Sequence, residues 1–331
     1  MSTNTAIEWT DATWNPVRGC SLVSSGCTNC YAMRQAHRFS GTGKPYEGLT
    51  RLGPNGPVWT GAARLVPEML GLPIRWRKPL RIFVNSMSDL FHESLTHEEI
   101  AAVFGVMAAC SHHTFMVLTK RPASVLQFFA WLETIADNPD SFVQRQAWAR
   151  GVKLPLHAIK GTLKSHPWPL PNVRIGVSCE DQPTADLRIP LLLQIPAALR
   201  FVSYEPALGP VNFCAVPDAK TRPAEFSARY SPLGDIDLLI VGGESGPRAR
   251  PCNVDWIRSA VRQCKEADVR AFVKQIGARP TLVSPNLHEW PEHVTWRMDK
   301  GGGAGVARLR DRKGGDPSEW PKDLRVRELP R

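Results

Sequence analysis

The chain has 331 residues, of which 43% are hydrophobic and 22% charged, and its 41 Lys and Arg against 31 Asp and Glu give a formal net charge of +10. That length allows a sizeable core in one large α/β domain or two ordinary ones, and no apolar stretch is long enough for a membrane-spanning helix. The opening MSTNTAIEWTDATWNP lacks the basic and apolar regions of a secretory signal, so a cytoplasmic location with reduced cysteines is expected, and the positive balance favours polyanions such as nucleic acid.

In chain order, WNPVRG before Cys20 fits a short first strand. Residues 40–60, rich in Gly, Pro and Thr, read as a long loop. A recurring pattern follows: a short apolar run passes at once into polar residues. The instances are RIFVNSMSDLF (81–91), TFMVLTKR (114–121), VRIGVSCED (173–181), LRFVSYEP (199–206), DLLIVGGESG (237–246) and VRAFVKQ (269–275). Continuous apolar runs of this length suit strands buried on both faces of a parallel sheet.

Helical patterns lie between these runs. Thr96 and Glu99 fit a capping box before IAAVFGVMAAC. Pro122 suits the first turn of a helix reaching Ala136. A third helix spans 184–195 despite Pro190. Asn253 caps a fourth, in which Val254, Ile257, Val261 and Cys264 share one face. This alternation means βαβ units, either in an open doubly wound sheet or in a (β/α) barrel. Residues 1–290 read as one such domain, with insertions at 40–60 and 137–171. The second insertion is basic and carries Trp148, Trp168, Lys160 and Lys164. Residues 291–331 read as an irregular basic extension.

Cys20, Cys27 and Cys30 stand in the spacing Cys-x6-Cys-x2-Cys within GCSLVSSGCTNCY (19–31). In a reducing compartment such a group points to metal rather than to a disulfide. Two metal readings stay open. With His37 the set becomes Cys3His, suited to zinc. Alone, three thiolates hold a four-iron cluster with one iron left for a substrate or cofactor. The remaining cysteines have no nearby partner and read as packing. In β/α folds the carboxyl ends of the strands gather the ligand site. The residues expected there are Ser86, Ser88 and Asp89; Lys120; Ser178 and Glu180; Glu205; Glu244; and Lys274 with Gln275. The Gly242-Gly243-Glu244 turn is not a dinucleotide fingerprint, because the G-x-G-x-x-G spacing is absent.

IEWTDATWNPVRGCSLVSSGCTNCYA, FVNSMSDLFHE, VLTKRP, GVSCEDQ, SYEPALGP, GGESGPRARP and FVKQIG, in this order, resemble the phage-type three-Cys-motif family. That family is of poorly defined function and is similar to radical S-adenosylmethionine (SAM) enzymes. The resemblance implies a partial (β/α) barrel of about six parallel strands. It also implies a [4Fe-4S] cluster on Cys20, Cys27 and Cys30, and SAM bound at the open iron and cleaved reductively to start radical chemistry. Tyr31, Ser86, Ser88, Asp89 and Glu180 would then lie at the cofactors, and Lys120, Glu205, Glu244 and Lys274 would be the catalytic candidates. The first cysteine gap is three residues longer than the usual Cys-x3-Cys-x2-Cys. The expected substrate is a nucleic acid or a nucleotide base, and the expected partner an electron donor. The alternatives are a non-catalytic Cys3His zinc protein that binds nucleic acid and an iron–sulfur protein that senses redox state.

Overall fold

The computed structural model describes residues 5, 7–154, 168–217, 232–283, 286–298 and 304–330. Its principal sheet has seven strands: β1 (Ala12–Trp14), β2 (Arg81–Val84), β3 (Thr114–Thr119), β4 (Val173–Cys179), β5 (Leu199–Tyr204), β6 (Leu238–Gly242) and β7 (Arg270–Gln275). They lie in chain order from β1 to β7, and the pairing is parallel. A doubly wound sheet reverses its strand order at a switch point, whereas unbroken order is the winding of a β/α barrel. Here β1 and β7 end the order unpaired with each other, so the barrel is partial. Every residue of β4 and of β6 is buried, which accounts for their continuous apolar runs. The expectation of about six strands becomes seven because a short strand precedes the cysteines. That strand is Ala12–Trp14, not WNPVRG as a whole; Val17–Gly19 instead pairs antiparallel with Ala63–Leu65.

The chain divides into two compact units where the sequence reading expects one domain: residues 1–176 with 194–199, and residues 177–193 with 200–331. In the first unit, helix α1 (Tyr31–His37) follows the cysteines. Residues 40–60 are not all loop. Thr50–Gly53 and Gly56–Trp59 form a hairpin closed by a positive-φ Gly56, the conformation a tight turn asks of glycine. Helix α2 (His97–Ala109) begins with the expected capping box, formed by Thr96 and Glu99. Every residue from Ile100 to Ala108 is buried, so it runs through the core rather than over it. Helix α3 (Pro122–Ile135) starts at its proline. Helix α4 (Pro139–Ala149) occupies the start of the 137–171 insertion. It packs on α2 at Gly105, where a Cβ would stand 2.0 Å from the Val143 carbonyl oxygen. Lys160 and Lys164 of that insertion lie outside the described residues.

In the second unit, α5 (Gln182–Gln194) tolerates Pro190, and α6 (Val254–Glu266) is capped by the Asn253 side chain. The extension at 291–331 is irregular only in part. Thr295–Met298 and Gly305–Arg308 pair in a four-stranded sheet with Cys252–Asn253 and Pro280–Leu282. Trp320 and Leu324 are fully buried. The basic residues hid this, because short strands covered on one side carry little apolar periodicity.

Candidate functional site

The cysteine loop hangs from the Val17–Gly19 strand. Gly19 has φ +91°, and a Cβ there would lie 2.2 Å from the Ala62 carbonyl oxygen. Only glycine takes this conformation at such close approach, and it aims the chain into Cys20. Gly19 also bridges Ser88 in the loop after β2. Cys27 closes a single 3-10 turn, Ser25–Cys27. Its Sγ accepts from the Val23 N–H at 3.5 Å. Cys30 stands at the N-cap of α1, and its N–H donates to the Cys27 carbonyl at 3.2 Å. Cys20 and Cys30 pack against Met33, Ala36 and Trp59.

The loop after β2 is built for this segment. Asn85 takes φ +60°, and its Oδ1 accepts from the Val17 N–H. Asn15 Oδ1 accepts from the Met87 N–H at 3.0 Å and the Ser86 hydroxyl at 3.2 Å. The Ser88 hydroxyl donates to the Val17 carbonyl at 2.9 Å. Tyr31 donates to the Ser86 carbonyl at 2.5 Å. Ser86, Ser88 and Tyr31 therefore tie the cysteine loop to the end of β2.

Asp89 is buried and saturated. Its Oδ1 accepts from the Thr119 hydroxyl at 2.8 Å and the Phe91 N–H at 3.0 Å. Its Oδ2 accepts from the Lys120 N–H at 3.1 Å and from Arg121 Nη1 at 3.0 Å. Arg121 then reaches Ser21, next to Cys20, through Nη2 at 2.6 Å, and Glu93 through Nε at 2.9 Å. Ser21 donates to Glu93 at 2.8 Å and meets His92 Nε2 at 3.0 Å. Burial alone would raise the Glu93 carboxyl. Its own N–H, the Ser21 hydroxyl, Arg121 and His92 together hold it at about 2. Asp89 is thus a positioning residue that fixes Arg121, and Arg121 fixes the backbone beside Cys20. Sequence reasoning missed Arg121, Ser21 and Glu93. The signal was present in the charged ends of TKR and FHE.

Burial pushes Cys20 up to about 12, and Asp89, Cys30 and Cys27 add to the rise while Arg121 opposes it. Burial likewise raises Cys30; Cys27 adds to the rise, while the Ala32 and Met33 N–H groups and Lys120 oppose it. Lys120 is therefore near enough to be felt at Cys30. No group of three or more His, Cys, Asp or Glu side chains among the described residues is gathered to hold a single metal ion. His37, at the far end of α1, has its Nδ1 on the Thr50 hydroxyl at 3.0 Å and the Ser40 hydroxyl at 3.3 Å. At the helical rise, Cys30 and His37 are about 10 Å apart along the axis.

The other site candidates belong to the second unit. Glu205 follows β5, and its carboxylate lies 3.0 Å from the Lys274 ammonium on β7. The Ser203 hydroxyl donates to its other oxygen at 3.3 Å. Glu244, buried after β6, accepts from the Arg250 N–H at 2.8 Å and from its guanidinium at 2.9 and 3.1 Å. Glu180 is fully buried against Arg188 at 3.1 Å, and Arg188 also donates to the Ser178 carbonyl. The glycines of Gly242-Gly243 serve close packing. A Cβ on Gly243 would meet the Ile276 carbonyl oxygen at 2.7 Å. Arg250 and Arg188, which hold two of these carboxylates, were not singled out from sequence.

A parallel β/α sheet wound in chain order, with a three-cysteine loop fixed at one strand end, defines the class of protein. The chain belongs to the family described as "Protein of unknown function (DUF5131)", whose model matches residues 4–306. No curated protein and no solved structure matches it. Among the described residues, no helix is long and apolar enough to cross a membrane.

Proposed function

We propose that the protein is an iron–sulfur enzyme of the radical SAM type that acts on a nucleic acid or a nucleotide base. The observation that carries this reading is that Cys20, Cys27 and Cys30 share one loop held at both flanks, by the Gly19–Ser88 bridge and Arg121 on Ser21 at one end and by Tyr31 on the Ser86 carbonyl at the other. Closely spaced cysteine thiolates are the ligands of four-iron clusters, and three of them leave one iron open. When bound, such a cluster supplies the electron that cleaves SAM.

The chain's own residues have defined tasks in this reading. Cys20, Cys27 and Cys30 hold the cluster. Gly19 and Ser88 set the entry of the loop, Arg121 and Asp89 hold the backbone beside Cys20, and Tyr31 anchors α1 to the Ser86 carbonyl. Lys120 contributes positive charge near Cys30. Glu205 with Lys274, and Glu244 with Arg250, are the acid–base candidates. The zinc reading has less support, because His37 is engaged by Thr50 and Ser40 at the other end of α1.

The test is iron, sulfide and zinc content after strictly anaerobic purification. About four irons and four sulfides per chain, lost in Cys27→Ala and kept in His37→Ala, support the reading. One zinc without sulfide, lost in His37→Ala, overturns it. An intact, reducible cluster that never cleaves SAM would instead mark a redox sensor.

A further inference from the structure

The strand that delivers Cys20 carries an unusual pair. Arg18 stands directly opposite Arg64 in the antiparallel ladder. Like charges in that position repel. Both guanidinium groups turn onto one carbonyl oxygen, that of Pro45, from Arg18 Nη1 at 3.5 Å and Arg64 Nη2 at 3.2 Å. Arg18 also lies 5.7 Å from the centre of the Tyr46 ring. Among the described residues neither arginine has a carboxylate partner. A second like-charge pair stands on α1 and its C-cap, where Arg34 and Arg38 are four residues apart, a spacing that brings side chains together. Lys44 and Arg51 are exposed nearby in sequence, and Glu47 is the one acidic residue from 17 to 65. Its carboxylate is turned to the Gly43 N–H.

Exposed aromatic residues alternate with these charges along the chain. Tyr31 is 49% and Phe39 48% exposed, and the Tyr46 N–H donates to the Phe39 carbonyl. A guanidinium has five N–H donors, which one carbonyl oxygen shared by two arginines does not fill, so a phosphate would meet open donors here. Rings among such charges offer stacking surfaces to bases that are not already paired.

We propose that this face binds single-stranded nucleic acid, with Arg18 and Arg64 gripping one phosphodiester and the Phe39–Tyr46 segment lying against bases. The proposal deepens the functional reading by naming the surface that brings substrate to the cysteine loop. The binding step itself needs no cluster.

The test is fluorescence anisotropy of a labelled 12-nucleotide single strand, titrated with the full-length protein over a range of salt. Losing the grip on that one phosphodiester should lower the salt slope by about 0.7. The Arg18→Gln/Arg64→Gln variant is therefore expected to bind roughly tenfold more weakly with that shallower slope. Arg262→Gln, in the second unit, is expected to match the wild type. Thermal melting checks the fold. If the double variant melts early, the single change Arg64→Gln, which keeps Arg18 and relieves the like-charge pair in the ladder, supplies the readout. Unchanged affinity and slope in the folded double variant would overturn the proposal. So would equal or tighter binding of duplex, or displacement of the strand by inorganic phosphate or anionic vesicles at matched phosphate concentration. Cys27→Ala is expected to bind like the wild type, so a failure of the iron–sulfur reading leaves this result standing.

Discussion

Glu205 and Lys274 meet at 3.0 Å across an intervening strand. They stand at the ends of β5 and β7, and β6 lies between those strands. The contact passes beside Gly242, the last residue of β6, where a Cβ would come within 2.6 Å of Glu205 Oε1. The missing side chain on the middle strand lets the outer two share an ion pair. That pair is mostly screened from water, so removing one partner leaves a charge that little else compensates.

Gly242→Ala tests this directly. The methyl group must push the Glu205 carboxylate aside, and overpacking of this kind costs about 1–3 kcal/mol. Urea unfolding should show that loss. In Glu205→Ala, where no carboxylate remains to be displaced, the same substitution should cost less. Equal costs in both backgrounds would show that Gly242 does not serve the pair.

Glu180 and Arg188 form the most deeply buried pair described, at 0% and 3% exposure. Glu180→Gln leaves the guanidinium without its counter-charge and should cost about 3–5 kcal/mol. The double replacement Glu180→Leu/Arg188→Met should recover most of it. Denaturant midpoints of the three proteins decide the matter.

Asp89→Asn keeps the shape but weakens the hold on Arg121. Under the proposed iron–sulfur reading, the expected outcome is a fall in iron and sulfide per chain with little change in secondary structure, because the fault lies in the placement of Ser21 beside Cys20. Ser88→Ala, which loses one hydroxyl contact to Val17, should lose less iron. Full occupancy in Asp89→Asn would remove Asp89 from the supporting network.

His113 gives a pH dependence. Burial lowers its pKa, the neighbouring His112 adds to the lowering, and carbonyl contacts with Pro73 and Trp76 oppose it. Its Nδ1 accepts from the Leu80 N–H at 3.2 Å, which requires a neutral ring. A folded-state pKa below the unfolded value of about 6.5 means the contribution is present above that pH. It is lost as pH falls through the folded value. The drop in Tm between pH 7.5 and pH 5 should therefore shrink in His113→Gln. An unchanged drop would clear His113.

Much of the fold was legible in the sequence because buried parallel strands and capped helices leave local marks. Six apolar runs, the Thr96–Glu99 box, Pro122 and the Asn253 cap all fall where elements begin. The first strand was harder to place, since three residues show no period. The hairpin at Thr50–Trp59 and the strands after residue 290 were missed because Gly, Pro and basic residues mask short edge pairing. At the site, the cysteines announced themselves by spacing. Their support did not, because Arg121 reaches Ser21 across 100 positions of chain, and no local pattern encodes such a contact. Asp89 was visible at a strand end, but its four internal partners could be seen only in three dimensions.

The residues after 320 also close the outer edge of β7. The Val273 N–H donates to the Val326 carbonyl, the Glu328 N–H donates to the Ala271 carbonyl, and Phe272 bridges Arg327. A bare edge strand invites pairing with another chain. During synthesis, β7 leaves the ribosome some fifty residues before the segment that covers it. A shortened chain ending near residue 315 would keep all seven strands yet lose the buried Trp320 and Leu324 and expose that edge, so weakened folding and self-association would come together.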